Sequence, residues 1–114
     1  MKKKIICFDL DNVICNTKKN YYSKSTPKKN VIKLINQLYS SDHRILIFTA
    51  RGMGTYNSNL KKVEKKFRKL TENQLKKWKV KYHNLILGKP SFDIYIDDKN
   101  LGFNKNWYKN FNLK

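Results

Sequence analysis

Apolar residues in this chain gather in short unbroken runs, and the stretches between the runs carry helical spacing. Ile5-Ile6-Cys7-Phe8, Ile45-Leu46-Ile47-Phe48 and Leu85-Ile86-Leu87 are such runs. A run without alternation suits a strand buried on both faces, as in a parallel sheet. The first run is expected to be the central strand. After it, Val31, Leu34, Ile35 and Leu38 fall at i, i+3, i+4 and i+7, the stripe of an amphipathic helix. Thr26-Pro27 offers this helix an N-cap and a proline at its first position. Residues 40–43 end it, with His43 read as a solvated turn residue.

The second half repeats the alternation of elements. Val63, Phe67 and Leu70, then Leu75 and Trp78, predict two helices, with Thr71-Glu72-Asn73-Gln74 as a capping box at the break. Val80 to Tyr82 extends the third strand region, and Phe92-Asp93-Ile94-Tyr95-Ile96 reads as a fourth strand. Residues 99–114 hold Leu101, Phe103, Trp107, Tyr108 and Phe111, and read as a short edge strand and a helical tail covering the core. The element order predicts an α/β fold: a three-layer α/β/α sandwich around a parallel Rossmann-like sheet, in one domain over residues 1–114.

Charge changes this picture less than its size suggests. The chain has 114 residues and a formal charge of +18. Such a balance favours anionic partners such as nucleic acid, acidic membrane surfaces or phosphorylated substrates. Yet the basic residues are nearly all lysine, spread along the chain, and Arg44, Arg51 and Arg68 are the arginines. An A-rich coding sequence gives the same composition, so the charge alone assigns no partner. Cys7 and Cys15 form no CxxC and read as free thiols, Cys7 in the buried strand and Cys15 in a nearby loop. The apolar start is broken by Asp9 and Asp11, too early for a signal peptide, and no stretch has the length of a membrane span. A cytoplasmic protein without membrane insertion is expected.

The candidate chemistry lies just past the strands. Asp9 and Asp11 follow the first, Thr49 and Arg51 the second, Lys89 the third, Asp97 and Asp98 the fourth. Open α/β sheets bind ligands at the carboxyl ends of their strands. Asp9 and Asp11, spaced i, i+2, repel by roughly 4 kcal/mol at 4 Å and an effective dielectric near 20, which a cation or a shared proton offsets. Mg²⁺ takes hard oxygen ligands and substrate oxygens. A carboxylate beside it can attack phosphorus, and a second can move the proton. A hydroxyl and an ammonium can hold the phosphoryl oxygens. Gly52-Met53-Gly54 lacks the third glycine of a dinucleotide fingerprint and reads as a flexible loop. Tyr21, Tyr22 and Tyr56 lie on segments that either flank the entrance or pack on the surface.

Phe8-Asp9-Leu10-Asp11-Asn12-Val13, Phe48-Thr49-Ala50-Arg51, Gly88-Lys89-Pro90 and Ile96-Asp97-Asp98 together resemble the four motifs of the haloacid dehalogenase (HAD) superfamily of phosphohydrolases, over about residues 5–100. The resemblance implies that Asp9 is the nucleophile and Asp11 the general acid and base. It implies that Thr49 and Lys89 bind the phosphoryl group and that Asn12, Ala50 and Arg51 line the substrate. Mg²⁺ would be held by Asp9, the backbone carbonyl of Asp11 and Asp97, with Asp98 a direct or outer contact. Asn12 stands where the superfamily most often has glycine, and Val13 where threonine is commonest. The segments 12–26 and 52–82 are too short for an inserted cap, so a capless member with an open site is expected. Arg51 points either to the substrate rim or to a surface pairing with Asp98.

An open site suits a large substrate, or a wall supplied by a homo-oligomer. The chain also resembles small capless phosphatases of capsule and surface-polysaccharide biosynthesis, through Thr49-Ala50-Arg51-Gly52 and Ile96-Asp97-Asp98-Lys99. That resemblance implies a small phosphorylated sugar or polyol as substrate. The alternatives are a polynucleotide 3′-phosphatase, to which the charge and Arg51 also fit, and a non-catalytic phosphate- or metal-binding subunit.

Overall fold

A computed structural model of the chain describes residues 2–113. It is a small α/β fold, with a parallel three-stranded sheet and two helices. The strands of the sheet are β1 (Ile5–Phe8), β4 (Arg44–Thr49) and β5 (Asn84–Leu87), in the order β1-β4-β5. Short strands β2 (Cys15–Asn16) and β3 (Thr26–Pro27) pair antiparallel and close a flap after β1. Helix α1 (Lys29–Ser40) connects the flap to β4, and α2 (Leu60–Lys77) connects β4 to β5.

The register explains where the core lies. Ile6 pairs with Ile45 and Phe8 with Ile47, while Ile47 and Thr49 pair with Leu85 and Leu87. In a pleated sheet these residues share one face. Phe8, Ile45, Ile47, Thr49, Leu85 and Leu87 are all buried. Both crossovers step the same way across the sheet, so their right-handed sense puts α1 and α2 on that face. The helices supply Val31, Ile32, Ile35, Val63 and Leu75 to the core. The opposite face carries Ile5, Cys7, Leu46, Phe48 and Ile86, and Ile5 is 70% exposed. A third layer is therefore not present over this face, and Cys7 is exposed rather than buried.

Several local expectations change with packing. Strand β1 is at the edge of the sheet, with β4 central. Phe92–Ile96 is not a strand, and among the described residues no strand pairs with the outer side of β1. Residues 99–113 form neither the edge strand nor the helix expected of them. Thr26-Pro27 belongs to β3 instead of capping α1, whose N-cap Lys28 makes no side-chain bond. Helix α2 is continuous, because Thr71 is buried and its hydroxyl accepts from Arg51 rather than capping a new helix. The N-cap of α2 is Asn59, which accepts from the Lys62 amide. His43 is buried, and its Nδ1 accepts from the Lys4 amide at 3.1 Å. Val80–Tyr82 lies outside β5; Val80 is buried and bonded to the end of α2 through Leu75 O.

Residues Gly52–Gly54 form a tight turn with Met53 buried, in place of a flexible loop. Gly52 has φ +77°, and a Cβ there would lie 2.4 Å from the Phe67 ring. Only glycine meets both demands.

From Pro90 to Asn106 every residue is exposed. This arm contains Phe92, Ile94, Tyr95, Ile96, Leu101 and Phe103, most of the exposed large apolar residues of the chain. Beyond it, Trp107 returns to the body and stacks on Phe8 at 6.1 Å.

Candidate phosphoryl-transfer site

Because β1, β4 and β5 are parallel, their carboxyl ends share one edge. Asp9 follows β1 directly, Thr49 ends β4, and Lys89 stands two residues past β5, its amide bonded to Thr49 O at 3.1 Å. The Lys89 ammonium lies 3.8 Å from Asp9 Oδ2, and Asp9 Oδ1 accepts from the Leu10 amide at 2.8 Å. Burial pushes the Asp9 carboxyl above its usual range, and the Lys89 ammonium pulls it back. Asp9 and Lys89 thus meet at the strand ends, while Thr49 is fully buried on the helix side of the sheet with its hydroxyl accepting from the Arg51 amide at 3.2 Å.

Asp11 is organised differently. Its turn begins at Asn12, whose φ of +65° is a conformation asparagine tolerates better than most residues. Asn12 Oδ1 accepts from the Thr17 amide, and its backbone carbonyl accepts from Lys28 Nζ, so Asn12 serves the flap. Thr17 donates its hydroxyl to Asp11 Oδ1 at 2.5 Å. Arg51 grips the same carboxylate, Nε at 3.0 Å from Oδ2 and Nη2 at 2.9 Å from Oδ1.

Arg51 is neither at a rim nor paired with Asp98. Its side chain is fully buried. Nη1 donates to Thr71 Oγ1 at 3.1 Å and Gln74 Oε1 at 2.5 Å, and Nη2 also reaches Ser25 Oγ at 3.5 Å. Tyr22 lies over the guanidinium at 5.0 Å and accepts from the Gly52 amide through its hydroxyl. Gln74 Nε2 donates to Tyr22 O. All five guanidinium N–H groups therefore have partners within the protein. Arg51 holds Asp11 and ties the flap to α2, with no donor left for a substrate. Ala50 is half-buried between Thr49 and Arg51. Tyr56 is partly buried near Phe67, and Tyr21 is exposed.

Thr17 and Ser25 are contributors the sequence did not single out, while Tyr22, Thr71 and Gln74 take roles other than those expected of them. The available signal was the Thr71–Gln74 pair, which shares a helix face at i, i+3. The same spacing is what suggested a capping box.

Asp97 and Asp98 are not brought to the site. Both are exposed on the arm. Asp97 accepts from the Lys99 amide, which lowers its carboxyl below the usual range, and from the Tyr95 hydroxyl at 3.2 Å. Among the described residues no three His, Cys, Asp or Glu side chains stand together as a metal site. Asp11 is occupied by Arg51, which leaves Asp9 as the one carboxylate at the strand ends free of an arginine. The residues that a single chain assembles do not fit the Mg²⁺ implied by the motifs.

The described residues include no helix long and apolar enough to cross a membrane. No protein-family model matches the chain, and no curated protein matches it. Among solved structures, the crystal structure of a target protein from Vibrio cholerae is similar, with a TM-score of 0.86 and 28% sequence identity over 98% of this chain and 91% of that one.

Proposed function

We propose that the protein is a phosphomonoester hydrolase of the HAD type, a single capless domain over residues 1–114 built on its parallel α/β sheet. The observation that carries the reading is the Asp9–Lys89 pair at the carboxyl ends of parallel strands, with Lys89 Nζ 3.8 Å from Asp9 Oδ2. An Asp9 oxygen attacks phosphorus, the ester P–O bond breaks, and Asp11, once protonated and released from its pairing with Arg51, gives the leaving oxygen its proton. Water then opens the aspartyl-phosphate, and Asp11 takes the proton back. Thr49 and Lys89 bind the phosphoryl oxygens as charge spreads over them. The same reading takes a small phosphorylated sugar or polyol as substrate and a cytoplasmic site of action, and it includes Mg²⁺ only where a further carboxylate joins Asp9 and Asp11, which the described residues of a single chain do not bring there.

The test is turnover of an aryl phosphate, then of a panel of phosphorylated sugars, polyols and nucleotides, in the presence of Mg²⁺. Asp9→Asn is expected to lower kcat by at least about 10³, since it removes the nucleophile. Equal turnover by wild type and Asp9→Asn would remove the covalent mechanism.

One observation favours the second reading, an end-phosphorylated nucleic acid. A groove of about 1070 Å³ runs from the flap along α1 to the end of α2, lined by Lys29, Lys33, Lys77 and Lys79 with Trp78 among them and separate from Asp9 and Lys89. Lysines interleaved with an aromatic ring suit a single strand. Preference for a 3′-phosphorylated oligonucleotide in the same panel, with affinity falling steeply with salt, would select this reading.

A further inference from the structure

Strand β1 has a neighbour on one side only, and the sheet face bearing Ile5 and Cys7 has no helix over it. The same chain carries a segment whose isoleucines are left to solvent, while its Phe92 and Tyr95 rings gather around Lys89 Nζ at 5.5 and 5.0 Å. In this monomer Asp93 bends the segment and the Phe92 and Tyr95 rings meet at 4.9 Å; extended as a strand, Phe92–Asp97 would place Phe92, Ile94 and Ile96 on one side and Asp93, Tyr95 and Asp97 on the other. Ile94 is 79% and Ile96 93% exposed. Open edge and unpaired strand-like segment are complementary, and each copy of the chain has both.

The chain cannot satisfy this pairing by itself in the useful direction. To bring Asp97 to the carboxyl end of the sheet, the segment must lie parallel to β1. A parallel neighbour requires a crossover of a dozen or more residues. Only Gly88–Ser91, four residues, separate β5 from Phe92. They cannot pass β4 and return to the start of β1. An arm from another molecule meets no such limit.

We infer that two copies exchange arms, residues 92–98 of each adding as a strand along the open edge of β1 in the other, and that Asp97 thereby completes the candidate site of the partner. A two-fold pairing of this kind is isologous and closed. The exchanged segment brings four exposed large apolar residues, Phe92, Ile94, Tyr95 and Ile96, from each copy to the pairing. The similarity to the Vibrio cholerae structure extends over 98% of the chain, so the arm is part of what the two share. The role given to Asp97 rests on the phosphatase reading; the exchange itself does not.

Three measurements on the full chain test this. Light scattering across concentration is expected to show a dimer. Raising salt should favour it, because two bodies of +18 repel. Ile94→Asp/Ile96→Asp, which alters only exposed side chains, is expected to be monomeric with an unchanged far-UV spectrum. A monomeric wild type at all concentrations would overturn the exchange. Second, Tyr95→Cys beside the native Cys7 is expected to give a covalent dimer on oxidation, lost in Cys7→Ser. A covalently closed monomer, or no cross-link, would place the arm elsewhere.

Third, Asp9→Asn and Asp97→Asn are mixed and allowed to exchange subunits. Each is inactive alone, and the mixture is expected to regain about one quarter of wild-type activity, since half the dimers are hybrids with one intact site of two. No regain between dimeric variants would mean that Asp97 acts within its own chain or not at all. If wild type hydrolyses nothing, the phosphatase reading fails by itself, and the dimer and the cross-link still decide the exchange.

Discussion

The body and the arm of this protein are both rich in large apolar residues, yet nearly all of the body's are used and almost none of the arm's. In the body, Ile45 and Ile47 are fully buried between β1 and β5. In the arm, Ile94 and Ile96 face solvent. The difference is in the connections rather than in the side chains. The links from β1 to β4 and from β4 to β5 each contain a helix and are long enough for a right-handed crossover. The link from β5 to the arm has four residues. Apolar content says that a segment wants a partner; chain length decides whether it can reach one in its own molecule.

The sharpest way to stress this comparison is to cut the body at its most connected point. Arg51→Ala is expected to cost about 3 kcal/mol in chemical denaturation, because it strips a buried network of its shared donor. A cost below about 1 kcal/mol would mean that the flap and α2 hold together without it. Arg51→Lys should recover only part, since an ammonium cannot reproduce the fork.

Gly52→Ala should have an intermediate effect, about 2 kcal/mol, combining a left-handed alanine with the collision against Phe67. Adding Phe67→Leu should relieve the collision and leave the backbone cost, which separates the two.

The smallest effect belongs to the arm. Ile94→Ala, measured at dilution where the chain is monomeric, is expected to change folding stability by less than about 0.5 kcal/mol. A loss comparable to that of a buried isoleucine would show that the arm is packed within its own molecule.

The legible parts of the fold were those where one segment suffices. The apolar runs at 45–48 and 85–87 mark strands because β4 and β5 are buried on the helix face, and the stripe of α1 is readable from Val31 and Ile35. Ile32 was overlooked because it sits one position off the strict spacing. The approach of Asp9 and Lys89 was legible because a parallel sheet brings its strand ends together whatever the details. The destination of Arg51 could not be read, since it depends on how α2 rotates against the flap. Thr71 and Gln74 look like a cap until that rotation is known. Phe92–Ile96 has the composition of a strand, but composition does not name the neighbour, and the short link removed the one that was assumed.

The Arg51 network has a consequence for the order in which the chain folds. Its partners lie 40 residues upstream at Asp11, 26 upstream at Ser25, and 20 and 23 downstream at Thr71 and Gln74. No local stretch contains more than a fraction of the set, so the loops between them must close before the guanidinium finds its place. Contacts so distant in sequence form late in folding. The Asp11 carboxylate is therefore oriented only after β1, the flap, β4 and α2 have all come together, and a chain still emerging during synthesis carries the acidic motif long before it has a working site.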